Sequence, residues 1–338
     1  VFGISTEKQA DLADGARVTV TDASGAAHFN QLKADGFPEY ELYLQDDGTV
    51  ALGKLRAHTH CICGDGTMEN EGHKTHTDVT FQPWNSATAL PTSGKYYLTR
   101  PVTLNGYWNP ENVQLCLNGN SVTMEGRIFV NSSTEVQITD CGTTGGINSA
   151  KPEKVNAAHV MITKGSFALY GGTMNGLSFE IHQQGGTFNM LGGKITGNKC
   201  TAVDTQNGNS IAVNLYGGEI RGNAATVSGS ENGGGVYVGS GATFVMYGGT
   251  IAENAAYGSG GGVYVANANT TYGKGTFTMR GGTITKNSAA VKGGGIYASG
   301  TLSVSGNVNI TENKDSYGTS NIFMGANVVR APITISAA

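Results

Sequence analysis

Apolar and polar residues alternate over short segments in the second half of the chain. The apolar members recur two positions apart, as in Phe188/Met190, Val213/Leu215, Phe244/Met246, Phe277/Met279 and Leu302/Val304. A period of two residues predicts β-strands, because successive side chains of a strand point to opposite faces. After each such segment come a Gly-Gly step (Gly-Asn in the last unit), an isoleucine and, three residues later, an asparagine.

A second motif repeats in register with these segments. GGGVYV at Gly233–Val238 returns at Gly260–Val265 and as GGGIYA at Gly293–Ala298. The Gly-Gly steps begin at 171, 192, 217, 248 and 281, so the unit varies between 21 and 33 residues. Such variation suits short strands joined by loops of unequal length, and about three strands per unit predict a parallel β-helix.

The GGTI…N and GGGVYV repeats give the chain, from about residue 97 onward, a resemblance to bacterial extracellular right-handed parallel β-helix proteins of pectin-lyase-like architecture. The resemblance implies an all-β, right-handed parallel β-helix solenoid. It implies no single activity, because this fold carries lyases, hydrolases, phage spikes and adhesins. We expect a small N-terminal β subdomain or cap at 1–57, a Cys/His loop and linker at 58–95, and the β-helix at 96–338.

The repeated asparagines occupy one position in every unit. If successive turns of the helix stack ~4.8 Å apart, equivalent residues lie above one another. We therefore expect their side chains to hydrogen-bond along the solenoid, as in other stacked β assemblies. The residues concerned are Asn198, Asn223, Asn254, Asn287 and Asn313.

Composition narrows the classes of partner. Only 14% of residues are charged, the net charge is −4, and there is no basic stripe, which argues against a nucleic-acid partner. No apolar run approaches the length of a membrane span. The sequence starts at Val1 without an initiator Met or a signal peptide, so we expect a mature or excised part of a larger exported polypeptide, extracellular or at the cell surface.

Residues 58–78 hold four of the seven histidines and two of the five cysteines. Cys61 and Cys63, followed by His73 and His76, supply two thiolates and two imidazoles around a glycine-containing loop, which predicts a structural zinc site. His58 and His60 are spare candidates for these ligands. The alternative is a loop whose cysteines form a strained disulfide or stay free.

The other three cysteines, Cys116, Cys141 and Cys200, fall in different turns of the predicted helix. An alignment that stacks Cys116 over Gln137 displaces Cys141 from it, so we expect no disulfide among them and interpret all three as small buried side chains. The segment 141–154 is predicted as a loop that overhangs one face.

Alignment of the strands that contain GGGVYV predicts one outward-facing row. In the predicted order the row reads Phe129, Met161, Glu180, Ala202, Tyr237, Tyr264, Tyr297 and Phe323. The glycines beside the aromatic residues are expected to leave the ring faces accessible, so Tyr237, Tyr264, Tyr297 and Phe323, with His159, form a candidate glycan-binding platform. The alternative is an aromatic ladder that only stabilises the sheet.

A polar cluster lies next to this aromatic row. We expect His182 and Asp204 to be neighbours in one outward row, and Glu180 and Asp204 to be diagonal neighbours. Such a carboxylate pair suits glycoside hydrolysis, and a histidine held by an aspartate suits general-base catalysis. The alternative is a solvated polar face without catalytic function.

Three functions remain open on this basis. The first is an adhesin-like surface module that binds glycan or host-surface carbohydrate on the aromatic and polar face. The second is a carbohydrate-active enzyme, a glycoside hydrolase or a polysaccharide lyase, that uses Glu180, His182 and Asp204. The lyase version is weakened because Arg127 is the only cation on that face. The third is a structural fibre or filament subunit that pairs through its C-terminal edge.

Overall fold

A computed structural model describes residues 16–18, 40–44, 50–62, 78–131, 134–152, 158–225 and 232–325. All regular secondary structure in these ranges is β-strand, and within them no helix could cross a membrane. Most strands belong to one 25-stranded, mainly parallel sheet, whose strands stack in three separate rows. The described chain is therefore all-β and consistent with a β-helix solenoid.

The first strands form a separate antiparallel sheet. Strands β1 (Ala16–Val18), β2 (Tyr40–Leu44) and β3 (Val50–Lys54) pair with β3 in the centre. β2 and β3 pair antiparallel, with Leu42 opposite Leu52. Next, β4 (His58–Cys61) pairs antiparallel with β5 (Asp78–Trp84), and β5 begins the parallel stack.

The remaining strands are short and follow one another with tight corners. In chain order they are β6 (Ser93–Leu98), β7 (Val102–Asn105), β8 (Asn112–Cys116), β9 (Ser121–Val130), β10 (Glu135–Thr139), β11 (Gly146–Ser149), β12 (Ala158–Ile162), β13 (Ser166–Leu169), β14 (Thr173–Asn175), β15 (Leu177–Ile181), β16 (Gly186–Met190), β17 (Lys194–Thr196), β18 (Val203–Thr205), β19 (Ile211–Leu215), β20 (Glu219–Arg221), β21 (Ala224–Ala225), β22 (Val236–Val238), β23 (Thr243–Met246), β24 (Thr250–Ala252), β25 (Ala255–Ala256), β26 (Val263–Val265), β27 (Thr276–Thr285), β28 (Ser288–Ala289), β29 (Ile296–Ala298), β30 (Thr301–Thr311), β31 (Lys314–Asp315), β32 (Gly318–Thr319) and β33 (Ile322–Met324).

Parallel pairing stacks most of these strands into three long sheets, and β21, β25, β28, β31 and β32 form a small separate sheet. Each turn of the chain, called a coil below, contributes one strand to each long sheet. Sheet A contains β5, β6, β8, β10, β13, β16, β19, β23 and the first halves of β27 and β30. Sheet B contains β7, the first half of β9, β11, β14, β17, β20, β24 and the second halves of β27 and β30. Sheet C contains the second half of β9, β12, β15, β18, β22, β26, β29 and β33.

The core lies between the three sheets and repeats from coil to coil. In β22 and β26 the valines on both sides of the central tyrosine are fully buried, as the period-two pattern predicts. In sheet A, Phe244 stacks on Phe277 with 4.7 Å between ring centroids. Identical apolar residues in consecutive coils thus fill the interior without gaps, which is how a solenoid buries a continuous core.

The first and third glycines of each GGG run are required for different structural reasons at the corner before sheet C. The first, at Gly233, Gly260 and Gly293, has φ of 72°, 72° and 66°, a left-handed conformation that side chains disfavour. The third has no room for a side chain: a Cβ on Gly262 would lie 2.6 Å from the carbonyl oxygen of Gly295 in the next coil. The run therefore reflects a tight turn followed by close contact between coils.

The predicted asparagine ladder is confirmed at the corner after sheet B. Each side-chain amide donates to the Oδ1 atom of the asparagine in the next coil, at 2.9–3.0 Å from Asn198 to Asn313, and Asn313 donates to Asn321 at 3.1 Å. All five repeat asparagines are buried. The ladder satisfies polar groups that these corners would otherwise leave unpaired inside the solenoid.

Two predictions about the first coils are wrong. The segment 141–154 is not a loop throughout, because its residues Gly146–Ser149 form β11 within sheet B. Cys116 does not stack over Gln137, because Cys116 pairs with Thr139 and Gln137 pairs with Gln114. This two-residue difference brings Cys141 beside Cys116.

Candidate functional site

The outward row of sheet C forms a stripe with carboxylates in the middle and aromatic rings toward the C-terminal end. The strand pairing gives the order Phe129, Met161, Glu180, Asp204, Tyr237, Tyr264, Tyr297 and Phe323. We call the six residues from Glu180 to Phe323 the sheet C stripe.

The structure corrects one member of this row. Ala202 was predicted to lie in it, but the pairing of Val203 with Val236 and of Asp204 with Tyr237 places Asp204 there. Ala202 is fully buried and takes the position that Gly235 has in the next coil, where only a very small side chain fits. Asp204 therefore lies between Glu180 and Tyr237.

The predicted arrangement of the acidic groups is also wrong in detail. Glu180 and Asp204 are directly paired on adjacent strands, not diagonal neighbours, and Asp204 does not pair with His182. Paired residues on neighbouring strands have Cβ atoms about 5 Å apart. The Gln206 amide donates to Oε1 of Glu180, and Nε2 of buried His159 lies 3.7 Å from Oε2 of Glu180. Glu180 thus neighbours both Asp204 and His159, whereas His182 accepts a long contact of 3.4 Å from the backbone N–H of Gln184.

Burial sets the protonation state of Asp204. Desolvation, reinforced by the negative charge of Glu180, raises the pKa of Asp204 to about 7. A carboxyl group with this pKa is partly protonated at neutral pH and can donate a hydrogen bond or a proton. The stripe thus holds two adjacent carboxyl groups in different environments.

The aromatic end of the stripe is a continuous stack. Ring centroids are 5.3 Å apart between Tyr237 and Tyr264, 5.1 Å between Tyr264 and Tyr297, and 5.5 Å between Tyr297 and Phe323, with planes within 7° of parallel. The four rings are half-buried. The rings cover one another's faces, so the expectation of freely accessible ring faces is wrong for Tyr264 and Tyr297, and the outward groups are ring edges and hydroxyls.

The two ends of the aromatic stack have different surroundings. Lys292 Nζ lies 4.5 Å from the centroid of Phe323, a cation–π contact. At the other end, burial raises the pKa of Tyr237 to about 12, with smaller contributions from Tyr264 and Asp204. Burial also raises the pKa of Tyr264. Both hydroxyls therefore stay protonated and available as donors at neutral pH.

An open cleft of about 200 Å³ lies elsewhere, on the outer side of sheet A. Its lining includes Lys95, Gln114, Glu135 and Gln137. The Gln114 amide donates to Gln137 at 2.8 Å, and the Gln137 amide donates to Glu135 at 2.6 Å. These bonds link the three side chains in a row, and the cleft adds no group to the sheet C stripe.

The predicted zinc ligands fall mostly outside the described residues. Cys63, His73 and His76 lie there, and Cys61 is disulfide-bonded and so offers no thiolate. The set as a whole stays a prediction. The spare candidates His58 and His60 instead meet Cys116 and Cys141, and the donor atoms of these four residues all lie within 4.8 Å of one another.

Sequence reasoning missed this second group because it placed Cys116 two residues out of register. Cys116 is fully buried, Cys141 is exposed, and their Sγ atoms are 3.1 Å apart. A hydrogen bond with Cys116 is the largest cause that lowers the pKa of Cys141 to about 5, and the same contact together with burial raises the pKa of Cys116.

Comparison of the chain with protein-family models, with curated proteins and with solved structures found no match.

Proposed function

We propose that the chain is a right-handed β-helix module, displayed outside a bacterial cell, that binds an extended neutral polysaccharide along the sheet C stripe. The observation that carries this proposal is the regular spacing of hydrogen-bonding groups. One carboxyl or hydroxyl group follows another from coil to coil, from Glu180 through Asp204 to the three stacked tyrosines.

The repeat of the stripe suits a repeating ligand. Coil spacing in a parallel stack is about 4.8 Å, and the ring spacing of 5.1–5.5 Å is similar. An extended chain of pyranose rings presents hydroxyl groups at a comparable repeat, so each coil meets one sugar. The contacts are to ring edges and hydroxyls, not to ring faces, because neighbouring rings cover those faces.

Rigidity favours binding over the purely structural alternative. The stack, the asparagine ladder and the glycine corners fix the positions of these groups before any ligand arrives. A preorganised array loses little conformational entropy on binding, which favours affinity for a weakly held, repetitive ligand. The carboxylates of the stripe disfavour acidic polysaccharides and leave neutral ones as the better fit.

A second function, glycoside hydrolysis, is favoured by one specific observation. Asp204, with its pKa near 7, lies directly beside Glu180. A pair of adjacent carboxyl groups, one of which has a raised pKa and can donate a proton, suits acid-assisted cleavage of a glycosidic bond. In this mechanism Asp204 protonates the leaving oxygen, and Glu180 acts as the nucleophile or base. His182 has no part in it, because it is not adjacent to Asp204.

The experiment uses a panel of neutral polysaccharides, with binding measured by affinity electrophoresis and products by mass spectrometry. Tyr264→Phe removes one hydroxyl and keeps the ring stack, so we expect about fivefold weaker binding, equivalent to about 1 kcal/mol for one hydrogen bond. Tyr247→Phe is the matched control, because Tyr247 stacks on Tyr216 at 4.7 Å outside the stripe.

Each outcome has a clear meaning. Binding that is weakened by Tyr264→Phe but not by Tyr247→Phe, without products, supports the binding module. New products that disappear with Glu180→Gln or Asp204→Asn support the hydrolase instead. If no polysaccharide is retained or cleaved, both proposals fail and the structural role stands.

A further inference from the structure

We propose that His58, His60, Cys116 and Cys141 form a structural zinc site that fastens the N-terminal hairpin to the first coils of the solenoid. These ligands differ from the Cys61, Cys63, His73 and His76 set that the sequence suggests. Four donor atoms lie within 4.8 Å of one another, and the Nε2 atoms of both imidazoles are buried without a hydrogen-bond partner among the described residues.

The four ligands come from three separate segments. His58 and His60 are two residues apart on β4 and so share one face of the hairpin that β4 forms with β5. Cys116 is the last residue of β8 in sheet A. Cys141 follows β10, in the next coil, two residues after Thr139, which pairs with Cys116.

Aromatic packing orients both imidazoles. The ring of His58 stacks on Tyr97 with centroids 4.0 Å apart, and the ring of His60 stacks on Phe81 with centroids 4.6 Å apart. Tyr97 and Phe81 are fully buried together with Cys116. The rings are therefore held in place by the small core under the hairpin.

The hydrogen bonds of the two histidines leave their Nε2 atoms available to bind a metal. Nδ1 of His60 donates to the backbone carbonyl of Cys61 at 2.9 Å, which places the proton on Nδ1 and the free lone pair on Nε2. In metal-binding histidines the ring nitrogen that does not bind the metal commonly donates to such a backbone carbonyl, which holds the ring in place. The Nε2 atoms of His58 and His60 are buried and have no hydrogen-bond partner among the described residues.

A bound metal ion accounts for the unpartnered Nε2 atoms and the adjacent sulfur atoms better than a Cys116–Cys141 disulfide does. A Cys116–Cys141 disulfide would leave both buried Nε2 atoms without a partner, a cost that proteins avoid. A tetrahedral zinc ion takes both sulfurs and both nitrogens. Its Zn–S bonds of about 2.3 Å place two sulfurs about 3.8 Å apart, so the exposed Cys141 needs to move outward by less than ~1 Å from its present 3.1 Å contact.

The donor set also indicates the metal and its role. Two thiolates and two imidazoles in a compact group favour Zn²⁺ over the hard cations that prefer oxygen. Four protein ligands leave no open position for substrate, so the site stabilises the fold. It connects the β4–β5 hairpin to two consecutive coils at the end of the solenoid where the first strands need a cap.

The test begins with the unaltered protein, purified without chelator. We expect one zinc per chain by metal analysis, and after replacement by Co²⁺ the strong visible absorption of a tetrahedral site with thiolate charge transfer. Alkylation followed by peptide mapping should show that zinc protects Cys116 and Cys141 and leaves the labelling of Cys200 unchanged. This part needs no variant and so does not depend on whether a variant folds.

Variants then separate the two possible ligand sets. Loss of second-shell groups alone weakens metal binding about 10–100-fold, so Cys141→Ser should weaken zinc binding by about a hundredfold or more. Cys200→Ser is the matched control, at a buried cysteine that lies outside the group. Zinc retained by Cys141→Ser but lost from His73→Ala or His76→Ala would overturn the proposal in favour of the other set. Absence of zinc together with a mapped Cys116–Cys141 disulfide would overturn it as well.

Discussion

Asn287 accepts two hydrogen bonds from Asn254, from the backbone N–H and from the side-chain amide, both at 3.0 Å. Its own amide donates to Asn313, to the carbonyl of Ile251 and to the carbonyl of Thr285. One fully buried side chain thus satisfies groups in three consecutive coils.

Replacement of Asn287 by Ala should therefore destabilise the solenoid strongly. It leaves several buried donors and acceptors unpaired, at about 1–3 kcal/mol each, so we expect a loss of about 3–5 kcal/mol in the free energy of unfolding. Urea unfolding measures the difference. Asn309→Ala is the control, because Asn309 is exposed in β30, and it should change stability by less than about 0.5 kcal/mol. Equal effects of both substitutions would show that the ladder carries no special stability.

Close contact between coils gives a second prediction. A methyl group on Gly262 would lie 2.6 Å from the carbonyl oxygen of Gly295 and 3.1 Å from the amide of Asn287. We expect Gly262→Ala to cost about 3 kcal/mol, because the coils must separate to admit it. Gly273→Ala, where nothing lies within 4 Å of the new carbon, is the control and should be nearly neutral. Thermal unfolding of the two variants compares them, and similar midpoints would refute the steric explanation.

The period-two pattern predicted the strands, and it placed the valines of β22 and β26 inside and their tyrosines outside. That assignment is robust, because a slip by one residue would put the tyrosines into the core. A slip by two residues leaves every side chain on its correct face. The alternation of apolar and polar residues therefore cannot detect a slip by two residues. The predicted positions of Asp204 and Cys116 were both wrong by two residues.

Loop lengths explain why the sequence could not correct these slips. The units vary in length, and the packing of the corners decides at which point of a coil the extra residues are inserted. At one such corner Ala202 takes the position that Gly235 has in the next coil. The sequence pattern also could not predict that the rings stack face to face. Stacking requires equivalent side chains in consecutive coils to adopt the same rotamer, and the pattern does not give rotamers. The zinc ligands suggested by local spacing were neighbours in sequence, whereas those brought together by the fold are up to 83 residues apart, from His58 to Cys141.

The raised pKa of Asp204 makes stability depend on pH. The folded pKa of about 7 exceeds the unfolded value of about 3.9, so between these values the folded state holds more protons than the unfolded state. Stability contributed by Asp204 is therefore greatest below about pH 4, falls as the pH rises to about 7, and then levels off.

Asp204→Asn isolates this contribution. We expect the variant to resemble wild type near pH 4 and to exceed its stability at pH 8 by about 2–4 kcal/mol, since the amide carries no buried charge. Denaturant unfolding of both proteins at the two pH values gives the difference. A constant difference across this range would mean that Asp204 titrates normally in the folded protein.

The proposed zinc site predicts a local response to metal removal. Because its ligands connect the β4–β5 hairpin to the first coils, chelation should release that end of the solenoid and leave distant coils intact. Amide hydrogen exchange in β5 and β6 should accelerate at least tenfold after zinc is removed, while exchange in β26 should not change. Mass spectrometry of peptides from both regions makes the comparison within one sample.

Cys141→Ser supplies the control for this last experiment. The variant should show fast exchange in β5 and β6 from the start, and chelator should have no further effect on it. If chelator accelerates exchange equally in wild type and variant, the metal that matters is bound elsewhere. If it accelerates exchange throughout wild type, including β26, the site stabilises the whole solenoid cooperatively instead of fastening one end, because release of a cap then propagates through every stacked coil.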